Sequence, residues 1–254
     1  MGKMMRRAAA AAALGLAAAC VAPAAALAYA PADDLVHERA AHGDFAPLLD
    51  GTDYHAFVKP ATPSANGGLY TRCRVCGFEE REKVIYRPKT VRLSASAYTY
   101  SGAARKPSVT VLNSAGKALP REAYELSYAP GRKLVGSYGV TVTFKGDWAG
   151  TMHANFTIKP KATTLRSLKA AKGGFAATWS RAVSQADGYQ VRYSRYSSMK
   201  GYKKVTVAGR TSASKKVTGL ASGKRYYVQV RVYKKAGGAT FVSAWSPKKS
   251  VVAR

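Results

Sequence analysis

Two thiols and an imidazole are the first residues of this chain whose types and spacing could do chemistry. Cys73 and Cys76 stand in Cys73-Arg-Val-Cys76-Gly77, and His55 lies eighteen residues upstream. Thiolate and imidazole suit zinc, and a Cys-x-x-Cys turn sets two sulfurs on one edge of a tetrahedron. A closed site needs four ligands and this neighbourhood supplies three, His55, Cys73 and Cys76. His37, His42 or a water would have to complete it, and His153 would have to reach across from a later stretch. A structural zinc is therefore one expectation. A Cys73–Cys76 disulfide is another, because exported cysteines meet oxidants, and a pair of free thiols is the third. A redox enzyme is not indicated, since no βαβ pattern surrounds the pair.

The second candidate is a row of cations and rings near the C-terminus. In the run Arg225 to Tyr233, a period of two buries Tyr226, Val228, Val230 and Val232. It turns Arg225, Tyr227, Gln229, Arg231 and Tyr233 outward. Guanidinium groups interleaved with exposed tyrosines suit sulfate, phosphate or sugar rings. The plainer account is a solvated face whose aromatic and β-branched residues merely favour a strand.

Charge is compatible with both accounts of that row. The chain carries 41 Lys+Arg against 13 Asp+Glu over 254 residues, a formal +28. The balance is −2 over 29–88, +7 over 89–160 and +20 over 161–254, where Asp187 is the only acid. A field of one sign this strong draws polyanions: cell-wall or host glycan polymers, nucleic acid or anionic membrane. Charge alone motivates the nucleic-acid reading, which predicts affinity falling steeply with salt.

Catalysis finds no inventory. There is no G-x-S-x-G elbow, no H-E-x-x-H and no phosphate-cradling glycine loop. His37-Glu38 is not followed by the second histidine of a zinc protease. Asp33, Asp34, Asp44, Asp50 and Asp53 fall in a stretch that reads as loops, without the cleft that paired carboxylates need. No catalytic residue and no enzyme is expected.

The elements that must position these groups follow an exported leader. Met1–Arg7 holds Lys3, Arg6 and Arg7, the stretch to Val21 is apolar, and small residues follow. That is the pattern of a signal peptide, here 1–28, with cleavage before Tyr29. The rival reading lipidates Cys20, although Ala17-Ala18-Ala19 lacks the usual leucine. Residues 29–88 read as a loop-rich segment. From 89 to 160 apolar and polar residues alternate, as in Tyr138-Gly-Val-Thr-Val-Thr-Phe144, between turn clusters such as Asn113-Ser-Ala-Gly116 and Lys145-Gly-Asp147. That predicts an antiparallel sandwich. Lys159-Pro160-Lys161 makes a stiff joint, because proline cannot donate to a ladder. No span of 18 apolar residues interrupts the mature chain.

After the joint, Phe175-Ala-Ala-Thr-Trp179, Gly188-Tyr-Gln-Val-Arg-Tyr193, Leu220-Ala-Ser-Gly223-Lys-Arg-Tyr226 and Ser243-Ala-Trp245-Ser246 succeed one another. Residues 161–254 resemble a fibronectin type III domain. The resemblance implies a tyrosine corner in which the Tyr226 phenol bonds back to upstream backbone. It also implies a core of Trp179, Leu220, Tyr226, Val228 and Val230. The strand of Val191 would then pair beside the Arg225–Tyr233 strand. Arg192 thereby joins Arg225, Tyr227, Arg231 and Tyr233 as a polyanion-binding set.

Tyr98-Thr-Tyr100-Ser-Gly102, Gly131-Arg-Lys-Leu-Val-Gly136-Ser-Tyr138 and Phe144-Lys-Gly146-Asp-Trp148 are similar to immunoglobulin-like repeats of exported bacterial surface proteins. In those proteins the repeat often precedes a fibronectin type III domain, and His55 with Cys73-x-x-Cys76-Gly77 resembles a small element that precedes the repeat. The fold expectation is all-β: an immunoglobulin-like sandwich at 89–160, then a fibronectin type III-like one at 161–254. The implied function is non-catalytic, an adhesion or scaffold module at the cell surface or secreted, contacting anionic polymers. The alternatives are a specific carbohydrate-binding host-interaction protein and a secreted nucleic-acid binder.

Overall fold

The computed structural model describes residues 54–74, 77–182 and 184–254. The leader expected at 1–28, Cys20, and Cys76 with its disulfide or metal bond all lie outside them. Among the described residues there is no α-helix, and none is long and apolar enough to cross a membrane. The chain is all-β.

β1 (Tyr54–Lys59), β2 (Gly67–Cys73) and β3 (Glu79–Ile85) form an antiparallel sheet in that order. Residues 54–85 were expected to be loop-rich, and this corrects the expectation. Period-two hydrophobicity marks a strand only where one face is buried. Here Glu79-Glu-Arg-Glu-Lys83 exposes much of β3 to solvent, so the signal is missing. The first hairpin closes because residue 67 is glycine. A Cβ there would lie 2.2 Å from the Lys59 carbonyl oxygen and 2.4 Å from the Ala61 nitrogen.

β4 (Pro88–Leu93) pairs with β6 (Val109–Asn113). A four-stranded sheet runs β5 (Ala97–Thr99), β9 (Thr151–Lys159), β8 (Gly136–Phe144), β7 (Tyr124–Tyr128), with β5 parallel to β9. Val140, Phe156 and Ile158 fill the space between them, against Leu93, Val109 and Tyr138. Of the alternating residues read at 138–144, Tyr138 and Val140 belong to this core.

Strands β10 (Leu165–Ala171), β11 (Gly174–Trp179) and β14 (Ser214–Val217) make one sheet of the C-terminal sandwich. The other runs β13 (Lys203–Ala208), β12 (Gly188–Ser194), β15 (Arg225–Ala236), β16 (Ala239–Val242), with β17 (Lys249–Val252) also on β15. Between them lie Phe175, Trp179, Tyr189, Val191, Val228, Val230 and Val232, each almost wholly buried. Side chains of this kind contribute roughly 1.5 to 3 kcal/mol apiece on burial. Trp179 and Tyr189 rings sit 5.2 Å apart. The Tyr189 hydroxyl accepts from the Ala182 amide at 2.6 Å and donates to the Arg210 carbonyl at 2.7 Å. Burial pushes the Tyr193 phenol up, and neighbouring Tyr226 adds to the shift.

Two compact units can be described. One gathers the residues up to Thr90 with Val111–Glu125 and Thr143–Thr151. The other gathers Val91–Thr110, Leu126–Val142 and Met152–Arg254. Inside the first, the β1–β3 sheet is tied to the turns near Trp148. Ala61 donates to Asp147 and accepts from Ala149, both at 2.9 Å, and the Trp148 indole donates to the Tyr86 carbonyl at 3.1 Å.

Candidate functional site

The face that β12 and β15 turn away from the core gathers most of the expected set. Register places Arg192 opposite Gln229 and Gln190 opposite Arg231. The two arginines and two glutamines thus alternate across neighbouring strands. Arg192 donates from Nε and from one terminal nitrogen to the Gln229 carbonyl oxygen, at 3.0 and 2.6 Å. Arg231 donates from Nε to Gln190 at 2.9 Å. Each hydrogen bond fixes a guanidinium plane while leaving other donors on the fork.

What fills the space above them is Trp245. Its ring lies 4.3 Å from the Arg192 guanidinium carbon and 4.2 Å from that of Arg231. Both arginines therefore stack on one indole, an arrangement that aromatic quadrupoles favour. Tyr202, 47% exposed, adds a second ring 5.2 Å from Arg192. Lys204 faces Arg192 across the β12–β13 ladder. Burial lowers the pKa of both arginines, with Tyr202 acting in the opposite sense on each. Neither shift threatens a group as basic as guanidinium, so both stay charged at neutral pH.

Trp245 reaches this position because the last strand is interrupted. β16 ends at Val242 and β17 starts at Lys249. Between them, Ser243 and Ser246 bond the flank of β15 with backbone and hydroxyl together. Their amides donate to Val232 and Val230, and their hydroxyls accept from the amides of the same two residues, at 3.0 and 3.1 Å. The Gln229 amide then donates to the Ser246 carbonyl at 2.7 Å. This bulge, rather than strand alternation, carries the indole out over the arginines.

No carboxylate among the described residues pairs with Arg192 or Arg231. Ion pairs there are Lys59–Glu79, Lys145–Glu125 and Lys234–Asp187. Asp187, the one acid after residue 160, bonds Lys234 at 2.7 Å and the Lys235 amide at 2.8 Å. The Lys234 hydrogen bond, then the Lys235 amide, hold its carboxyl below the usual carboxylate range.

The remaining expected residues divide. Arg225 is exposed and donates to the Ser250 hydroxyl at 3.2 Å. Tyr227 is half-buried, with the Lys248 ammonium 5.6 Å from its ring. Tyr233 was expected to face solvent and is only 7% exposed. It lies opposite Gly188, whose missing side chain leaves a slot that the phenol ring fills. A Cβ at 188 would stand 2.9 Å from the Tyr233 ring and 2.2 Å from the Val207 carbonyl oxygen. Tyr233 is a wall of the sheet and not a contact surface. Trp245 and Tyr202 were missed; only the sequence Ser243-Ala-Trp245-Ser246 pointed to the first.

The His/Cys set is not brought together by the first sheet. Cys73, buried, follows Arg72, which lies opposite His55. Adjacent strand positions emerge on opposite faces, so His55 and Cys73 diverge. His55 instead shares its face with Phe57, ring centroids 5.7 Å apart. Its Nδ1 is buried without a hydrogen-bond partner among the described residues, and no three metal-ligating side chains cluster among those residues. His55 and Cys73 are the two described members of the expected set, and Cys76 lies outside the described residues.

Two sheets packed over an aromatic and valine core, with a tyrosine at the entry to a central strand, define an antiparallel sandwich module. The Tyr226 hydroxyl accepts from the Ala221 amide at 3.2 Å, the bond back to upstream backbone that such a corner makes. Residues 159–248 match the fibronectin type III domain family. Among solved structures, the fibronectin type III domain of human contactin 1 is 18% identical. It covers 37% of this chain and 77% of that one at a TM-score of 0.33. The FN1–FN3 domains of chicken CNTN1 are 16% identical, covering 75% and 78% at a TM-score of 0.34. No curated protein sequence matches the chain.

Proposed function

We propose that this chain is a non-catalytic, exported modular protein, secreted or held at the cell surface, that contacts anionic glycan or cell-wall polymers. The contact is made through the basic face of its fibronectin type III domain. The 89–160 stretch serves as an immunoglobulin-like spacer. One observation carries the reading: two guanidiniums are held on a single indole by neutral glutamines, with no carboxylate among the described residues to answer their charge. An internal ion pair would place an acid there. A face prepared for an external anion keeps its arginines oriented and unneutralised.

The test is retention on immobilised teichoic acid, sulfated glycan and DNA at low salt and at ~0.15 M, where exposed charges are screened beyond about 8 Å. The expected result is retention of one carbohydrate polymer at the higher salt, weakened about tenfold or more in the Arg192→Gln/Arg231→Gln variant, as loss of charge-assisted hydrogen bonds implies. Equal retention on all three that vanishes with salt, or preference for DNA, would overturn the reading.

A further inference from the structure

We infer that a cleft beside the 159–162 connector is a second anion site, taking a short run of a sulfated or phosphorylated carbohydrate chain. The inference rests on the polyanion reading above and gives it a defined subsite. The cleft holds about 680 Å³, within the range of ~300–1,000 Å³ where small ligands are bound. That is far more than one oxyanion needs.

Three cations line it from two places in the chain. Lys159 ends β9, Lys161 follows the buried Pro160, and Arg231 comes from β15. Tyr98 and Thr99 of β5 also line it, Thr99 beside Lys159 in the β5–β9 ladder, and no carboxylate is among the lining residues. Like charges brought together without a counter-charge repel, and an anion placed among them relieves that cost. The site is also held in shape. Proline fixes its own backbone angle between the two lysines, and the Tyr100 amide donates to the Lys159 carbonyl at 2.8 Å. Arg231 is fixed by Gln190 and Trp245, as described above, so one arginine serves both the open face and the cleft.

The choice of a carbohydrate chain comes from the other side of the connector. A second cleft of about 420 Å³ shares Lys161 and Ala162 with the first. Its wall includes Tyr100, Ser101, Thr164, Arg181 and Ser184. Both clefts set cations among hydroxyls, Lys159 and Arg231 with Thr99 and Ser243 in the first and Arg181 with Ser101, Thr164 and Ser184 in the second, which matches a polymer that alternates oxyanions with hydroxyl groups. A bare polyphosphate has no use for the hydroxyls.

The test uses the full chain, titrated by calorimetry with a sulfated tetrasaccharide, a glycerol-phosphate tetramer and a four-nucleotide DNA at ~0.15 M salt. The expected result is measurable binding of one of the first two, weakened about tenfold in Lys159→Gln/Lys161→Gln. Arg225→Gln, away from the cleft, should leave that tetramer within about twofold while weakening a long polymer of the same type. The tighter tetramer names sulfate or phosphate as the source. Both lysines are solvent-exposed, so the variant keeps its fold, checked by circular dichroism. Failure of both tetramers to bind the wild-type chain overturns the cleft, as does affinity unchanged in the lysine variant; long-polymer retention on the open face would survive either result. DNA binding as tight as the carbohydrate's would overturn the assigned class. Long-polymer binding at ~0.15 M salt no tighter than the tetramer's would instead remove the open-face reading.

Discussion

Among the places where this molecule holds a cation over aromatic rings, two treat its charge in opposite ways. On the first sheet, Lys59 sits 4.6 Å from the Tyr70 ring and 5.6 Å from that of Phe57, and the two rings stack 5.7 Å apart. Glu79 closes the arrangement with an ion pair to the same ammonium. On the C-terminal sandwich, Arg192 and Arg231 stack on Trp245 and are held by glutamines. The first cluster is electrically complete within itself. The second has the same ring chemistry and leaves its charge unanswered. An aromatic platform under a cation therefore says little about binding until the counter-charge is located.

The sharpest way to break that contrast is to remove the shared indole. Trp245→Ala forfeits two stacking contacts, each about 0.5 to 2 kcal/mol by typical cation–π values. It should lower unfolding free energy by about 2 kcal/mol in urea titration. Polymer retention should fall as well, because both guanidiniums lose orientation. Loss of stability with retention unchanged would show that orientation does not matter to binding.

Removing the counter-charge from the first region is the converse change. Glu79→Gln leaves Lys59 unpaired, at a cost below about 1 kcal/mol for a partly exposed pair. It should add slight, salt-sensitive retention on anionic polymers, measured by the elution salt. No change in elution would mean that one unanswered ammonium is insufficient without the rigid fork of an arginine.

The smallest effect concerns Asp187. Its folded-state pKa is lowered, so its contribution is present above the unfolded value near 3.9 and is lost as pH falls through the lower folded value. Stability of the wild-type chain minus that of Asp187→Asn should be constant from pH 7 to about 5, at no more than about 1 kcal/mol. It should shrink progressively as pH falls from about 5 through the lowered folded value. A difference that grows on acidification would contradict the assignment of the Lys234 and Lys235 bonds.

How much of this the sequence shows depends on whether a signal is local. Alternation marked β8, β9, β12 and β15 because each buries one face against a core. The Leu220, Gly223 and Tyr226 spacing identified the corner because its bond spans only five residues. Arg192 and Arg231 were placed on one face by strand period and by the fibronectin type III resemblance. Tyr233 was misplaced because its burial depends on a missing Cβ at Gly188, forty-five positions away. The β1–β3 strands escaped notice because a sheet open on much of its surface has no hydrophobic period to show. Trp245 was illegible for a third reason: its direction is set by a bulge, and bulges are products of hydrogen bonding between distant segments.

That bulge has a consequence for anyone who would move the basic face elsewhere. Copying Arg192 and Arg231, with their glutamines, onto the equivalent strands of another sandwich would transplant the charge without its geometry. The fixture that aims them is Ser243-Ala-Trp245-Ser246, whose two hydroxyls take the place of strand pairing along Val230 and Val232. A graft would have to carry the interrupted last strand along with the arginines, since the portable unit of this surface is the pair of strands plus the gap beside them.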